Sequence, residues 1–120
     1  MKSDHDEIKM TYKDKITAIT RQFKQAVENK YNVIEMKLFG SCARGDYSKT
    51  SDIDLMVRLP KVERKIEEDL FNIAYDLELE YDCVIDVIVL PQNLGNNIMI
   101  YQNIQREGIA IWKKKKNNLW

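Results

Sequence analysis

Polar and apolar positions alternate along this chain with two different periods, and the changes of period mark out its elements. Over residues 4–30, Ile8, Tyr12, Ile16, Ile19, Phe23, Ala26 and Val27 recur at three- and four-residue steps. That spacing predicts an amphipathic helix with one apolar face. Asp4 and Asp6 suit its N-terminal end and Lys30 its C-terminal end. Residues 33–39 change to a period of two. Ile34, Met36 and Leu38 fall on one side, with Glu35 and Lys37 on the other, as in a strand with one face on a core. Gly40 and Ser41 end that strand, a short helical turn is expected over 43–47, and a polar loop follows over 48–51.

Residues 53–59 predict a second strand. Ile53, Leu55, Val57 and Leu59 share one face, while Asp52, Asp54, Met56 and Arg58 share the other. Pro60 ends it and suits the first turn of a helix over 61–80, which carries Val62, Ile66, Leu70, Ile73, Ala74 and Leu77 in one stripe. Residues 83–90, CVIDVIVL, form the most apolar run and predict a central strand buried on both faces, interrupted only by Asp86. Asn97 suits the cap of a last helix through Ile98, Tyr101, Ile104 and Gln105, stopped by Gly108. A short strand is expected at 109–112 and a basic tail over 113–120. The predicted class is α/β (α+β), a small mixed β-sheet with helices packed on one face, in a single domain spanning 1–120. The acidic residues are expected on the face left open.

Composition narrows the picture only a little. Hydrophobic residues at 44% and charged residues at 32% describe an ordinary soluble globular protein. Nineteen basic and nineteen acidic residues cancel, so bulk charge selects no partner and any preference must be local. Two cysteines, Cys42 and Cys83, make no disulfide framework and have no zinc-like spacing. No secretory signal and no apolar run of roughly 20 residues is read, so a reduced, cytoplasmic protein without membrane attachment is expected. His5 is the sole histidine, which argues against histidine-based catalysis.

The chemistry concentrates in residues 40–55, GSCARGDYSKTSDIDL. Side chains two apart on a strand project from one face, so Asp52 and Asp54 can converge. Asp86 joins them if the strand carrying it is a neighbour. Nothing basic lies beside Asp86 in sequence, so its burial calls for a compensating cation. Magnesium suits hard carboxylate oxygens and is typically shared with substrate phosphates. A glycine after a strand lets the backbone approach a ligand closely, and the amides that follow, with the Ser41 hydroxyl, can hold terminal phosphates. Arg44 is near enough to add a charge-assisted contact, and Ser51 either touches substrate or braces the loop.

The same stretch resembles the GS-x-A-R-G-x(5)-SD-x-DL signature of the nucleotidyltransferase superfamily that includes DNA polymerase β. The short chain points to its minimal nucleotidyltransferase (MNT) branch, and the resemblance runs from Ile34 to Trp112, including IQREGI at the last helix and turn. Carried over residue by residue, it implies that Gly40 and Ser41 bind the triphosphate and that Asp52 and Asp54 are magnesium ligands. Asp86 would be a ligand to a second metal ion or the base that takes the acceptor's proton. The cofactor implied is Mg2+, as a pair of ions, with ATP as substrate.

Such MNT proteins act as antitoxins in type VII-like pairs with a HEPN-domain ribonuclease toxin. The resemblance therefore implies transfer of AMP to a tyrosine of that toxin, which is inactivated, with no direct contact to nucleic acid. Two alternatives stand beside it. One is an antitoxin that neutralises by binding alone. The other is a nucleotidyltransferase acting on a small molecule, although such enzymes usually carry a further helical domain.

Overall fold

In the computed structural model, residues 10–94 and 98–113 are described. The first helix, α1, spans Tyr12–Glu28. It begins later than the spacing predicted, because Thr11 and Asp14 close a reciprocal capping box. The Thr11 hydroxyl accepts from the Asp14 amide at 3.0 Å, and the Asp14 carboxylate accepts from the Thr11 amide. Asp4, Asp6 and Ile8, expected in this helix, lie outside the described residues. Ile16, Ile19, Phe23 and Val27 are its buried face, as their spacing required.

Strand β1 is Glu35–Phe39, followed by the one-turn helix α2, Ser41–Arg44, and strand β2, Ile53–Leu59. Helix α3 is Arg64–Tyr81 and strand β3 is Ile85–Pro91. Pro60 was expected in the first turn of α3 but lies outside it, since the helix starts at Arg64. Helix α4, Met99–Glu107, and strand β4, Ile109–Lys113, complete the order. The cap expected of Asn97 and the basic tail beyond residue 113 lie outside the described residues.

The sheet order is β3-β2-β1-β4, with β2 and β3 parallel and the other pairs antiparallel. On one face, α1 and α3 bury Met36, Leu38, Ile53, Leu55, Val57 and Leu59 in a single apolar cluster. Burying a side chain of this size is worth about 1.5–3 kcal/mol, so this layer holds the domain together.

Two expectations need correction. The apolar run carrying Asp86 is not a central strand, because β3 lies at the sheet edge and only Ile85 and Val89 are buried. Apolarity reported the face packed on α3, not a neighbour on each side. The mixed α/β class is as expected, with α1 and α3 on one face, but α4 crosses the other face over β1. Gln105 donates to Glu35 at 2.8 Å, and Arg58 donates to the Tyr101 hydroxyl at 2.7 Å. Met56 and Ile104 are buried on this second side. Gly108 lets α4 turn tightly into β4: a Cβ there would lie 2.6 Å from the Ile104 carbonyl oxygen. The half of this face beside β3 is left to the carboxylates. No helix among the described residues is long and apolar enough to cross a membrane.

Candidate active site

The end of β1 and the starts of β2 and β3 meet at one edge of the open face. Gly40 leaves β1 with φ +72°, a left-handed conformation that glycine adopts without penalty. Space imposes a second requirement. A Cβ at Gly40 would sit 2.2 Å from the Asp54 Oδ2, so the carboxylate lies directly against the bare backbone. The chain then turns through α2, where the Ala43 and Arg44 amides both donate to the Gly40 carbonyl at 3.1 Å. Gly45, with φ +87°, ends the turn.

Register brings the acids together. Asp54 pairs with Asp86 across β2 and β3, which puts both on the same side of the sheet. Burial, followed by the charges of Asp86 and Asp52, pushes the Asp54 carboxyl up to about 6. Asp86, expected to be buried, is exposed on the edge strand; its carboxyl is still raised, first by partial desolvation and then by the charge of Asp52.

The cation whose charge reaches Asp54 is Arg44, but its guanidinium is engaged elsewhere. Its Nε meets Asp46 at 3.3 Å and its Nη1 meets Glu107 of α4 at 3.3 Å. The expectation that it reaches toward substrate therefore meets a side chain held at the rim of the site. Ser51 is committed to its loop, where its Oγ accepts from the Ser48 amide at 2.9 Å.

The donor set is chemically suited to magnesium, which needs hard oxygens and completes its shell with water and phosphate. Among the described residues, no group of three or more Asp, Glu, His or Cys side chains stands in a finished metal-binding arrangement. That is compatible with an ion that draws much of its coordination from a nucleotide. Asp54 and Asp86, each raised by desolvation and by neighbouring carboxylate charge, with Asp54 pressed against the bare Gly40 backbone and Asp52 beside them, fit such an ion.

Three supporting residues were missed. Cys42 is buried and its thiol donates to the Asp52 carbonyl at 3.3 Å, tying α2 to the start of β2. Burial, with the Asp54 charge, pushes this thiol up to about 11, so it stays a neutral donor. The Tyr12 hydroxyl donates to the Ser51 carbonyl, and its ring packs 5.7 Å from that of Tyr47. Glu107 holds Arg44. The position of Cys42 inside the motif was the only available signal. The Tyr12 and Glu107 contacts join segments 39 and 63 residues apart.

A family model described as a nucleotidyltransferase domain matches residues 20–117. A candidate protein adenylyltransferase of Methanocaldococcus jannaschii is 32% identical over 97 residues, covering 77% of this chain and 93% of that one. Among solved structures, a toxin–antitoxin complex with AMP-PNP superposes with a TM-score of 0.60 at 22% identity, covering 88% of this chain and 76% of that one. The tri-AMPylated HEPN toxin of Shewanella oneidensis in complex with its MNT antitoxin gives 0.58 at 17% identity, covering 82% and 73%. These two structural likenesses establish a common fold.

Proposed function

The chain belongs to the nucleotidyltransferase domain family, and from that premise we propose that it is a magnesium-dependent protein adenylyltransferase. Its substrates in this reading are ATP and a tyrosine of a cognate HEPN ribonuclease toxin, which makes it the antitoxin of the pair. The observation that carries the reading is the meeting of Asp52, Asp54 and Asp86 beside Gly40, with no ion pair from a described lysine or arginine to any of the three. The similarity to a protein named for adenylyl transfer supports the choice of AMP and of a protein acceptor.

In this mechanism Asp52 and Asp54 hold magnesium, and Asp86 either shares a second ion or takes the acceptor's proton. Magnesium supplies charge neutralisation at the phosphates. Gly40 and Ser41 bind the triphosphate, with the bare Gly40 backbone allowing it to lie close to Asp54. Arg44 and Ser51 complete the nucleotide set from the rim, each exchanging an intramolecular partner for it. The tyrosine oxygen attacks the α-phosphorus in line. The new O–P bond forms as the bond to pyrophosphate breaks, and the phenolic proton passes to Asp86 or to water.

The test is to incubate the protein with ATP, magnesium and the HEPN-domain protein encoded beside it. The HEPN protein should gain the mass of one or more AMP groups. An unchanged mass, with folded enzyme, would falsify the reading. An Asp52→Ala, Asp54→Ala variant that still neutralised the toxin in cells would favour neutralisation by binding alone.

A further inference from the structure

Helix α3 presents an apolar stripe that its core packing does not use. Leu70, Ala74 and Leu77 face the core, yet Phe71, Tyr75 and Leu79 recur at four-residue steps on the outside and are 44%, 56% and 66% exposed. An amphipathic helix of a domain complete in itself would carry polar residues there. Val84, 51% exposed, lies just before β3 at the same end of the molecule.

Between α3 and β3 runs a groove of about 490 Å³, with Phe71 and Tyr75 on its helix side and Ile85, Asp86 and Val87 on its strand side. One wall of the groove is therefore a carboxylate of the candidate site, and Asn72 and Glu78 add polar lining beside the aromatic rings. The strand is also open. The Ile53 amide donates to the Val84 carbonyl at 2.9 Å, so alternation turns the backbone groups of Val87 and Val89 outward. No strand among the described residues pairs with that side. The outward amide of Ile85 is taken by the Glu78 carboxylate at 2.7 Å, which blunts the edge at the point nearest Asp86.

Charge decides what fits. Between residues 66 and 82 there is no lysine or arginine, while Asp76, Glu80 and Asp82 are exposed around the stripe. An apolar centre rimmed by one sign of charge is the layout of a protein interface, and its complement is apolar with a basic rim. A small acceptor would need no such surface.

We propose that the Phe71–Tyr75–Leu79 stripe and the adjoining β3 edge form the docking surface for the acceptor protein. That protein presents an apolar patch ringed by lysine and arginine and brings its hydroxyl to Asp86. The inference rests on the reading of this chain as a protein adenylyltransferase, and it adds where the acceptor sits. A nuclease surface that holds RNA is a natural source of such basic charge.

The experiment uses the full chain and the purified HEPN-domain protein encoded beside it. Tyr75→Lys, Leu79→Lys and their combination are compared with Met99→Lys, at an exposed apolar position of α4. Affinity is measured by calorimetry at low and high salt, AMP transfer by intact mass, and self-association by sedimentation. The double variant should bind roughly tenfold or more weakly and transfer AMP correspondingly more slowly. Its magnesium–ATP binding should be unchanged, and Met99→Lys should behave as wild type. Binding to the wild-type protein should weaken with salt. Equal affinity of the double variant and wild type overturns the proposal. So does a wild-type dimer that the double variant splits while acceptor binding persists, which would assign the stripe to a second copy. If wild type binds the HEPN protein but transfers no AMP, the transferase reading fails, while the binding arm still decides the surface.

Discussion

Two charge clusters lie on the same face of the sheet, at opposite ends of β2, and they are built in opposite ways. At the far end, Arg58 donates to the Tyr101 hydroxyl at 2.7 Å and to the Gln92 carbonyl at 2.7 Å. Tyr101 in turn donates to Glu35 at 3.0 Å, Gln105 donates to the same carboxylate, and Lys37 approaches it at 3.9 Å. Every charge there has an opposite or a donor. At the near end, the charges of Asp86 and Asp52 raise the proton affinity of Asp54, the charge of Asp52 raises that of Asp86, and Arg44 is occupied by Asp46 and Glu107. A balanced, half-buried network of this kind fastens α4 to the sheet. An unbalanced one costs stability in the isolated protein and is retained where a cation from outside completes it.

The contrast predicts opposite signs for substitutions at the two ends. The largest effect is expected at Asp54. If Asp54 holds magnesium as proposed, Asp54→Asn should lower AMP transfer by about 10³-fold, since losing a metal ligand forfeits several kcal/mol of transition-state stabilisation. The same change should leave the magnesium-free protein at least as stable as wild type, because it removes repulsion. Steady-state transfer rates and thermal melts in chelator check the two halves.

Gly40→Ala comes next. The added Cβ would displace the Asp54 carboxylate and force a left-handed alanine. Transfer should fall about 10²-fold, by analogy with small displacements of positioned groups, and stability by about 1–3 kcal/mol. Both can be read from one purified variant by kinetics and denaturant unfolding.

At the balanced end, Arg58→Ala should cost about 1–3 kcal/mol by removing the donor to the Tyr101 hydroxyl and the cation 3.8 Å from Glu35. The transfer rate per folded molecule should be close to wild type. A large loss of transfer at full folding would merge two clusters that the structure keeps apart.

The smallest effect belongs to an exposed pair far from both clusters. The Tyr31 hydroxyl, first, and then Lys30 hold the Asp69 carboxyl below the usual range. A lowered folded value means that the stabilisation is present above the unfolded value and is lost as pH falls through and below it. Asp69→Asn should therefore cost less than about 1 kcal/mol near neutral pH. The difference from wild type should shrink as pH falls below the unfolded carboxyl value of about 3.9. Chemical denaturation across that range measures it.

Much of this was legible in the chain, for identifiable reasons. Strict alternation over Ile53–Leu59 placed Asp54 opposite the core, and Gly40 followed an apolar run as a close-approach glycine should. The position of β3 was not legible, since CVIDVIVL reports that one face is buried and says nothing of strand neighbours. The face chosen by α4 depends on Glu35, Tyr101 and Gln105, which are brought together across 66 and 70 residues. The start of α1 turned on one capping box, which outweighed the aspartates upstream. Contacts that lock the site, such as Tyr12 to Ser51, have no local periodicity to reveal them.

The central claim is that the near cluster is a site completed by magnesium and nucleotide. Calorimetric titration of ATP with magnesium into wild type, Asp54→Asn and Arg58→Ala tests it most directly. Wild type and Arg58→Ala should bind with similar affinity and only in the presence of magnesium, while Asp54→Asn should show little or no binding. Equal binding by Asp54→Asn, or binding that ignores magnesium, would contradict the account.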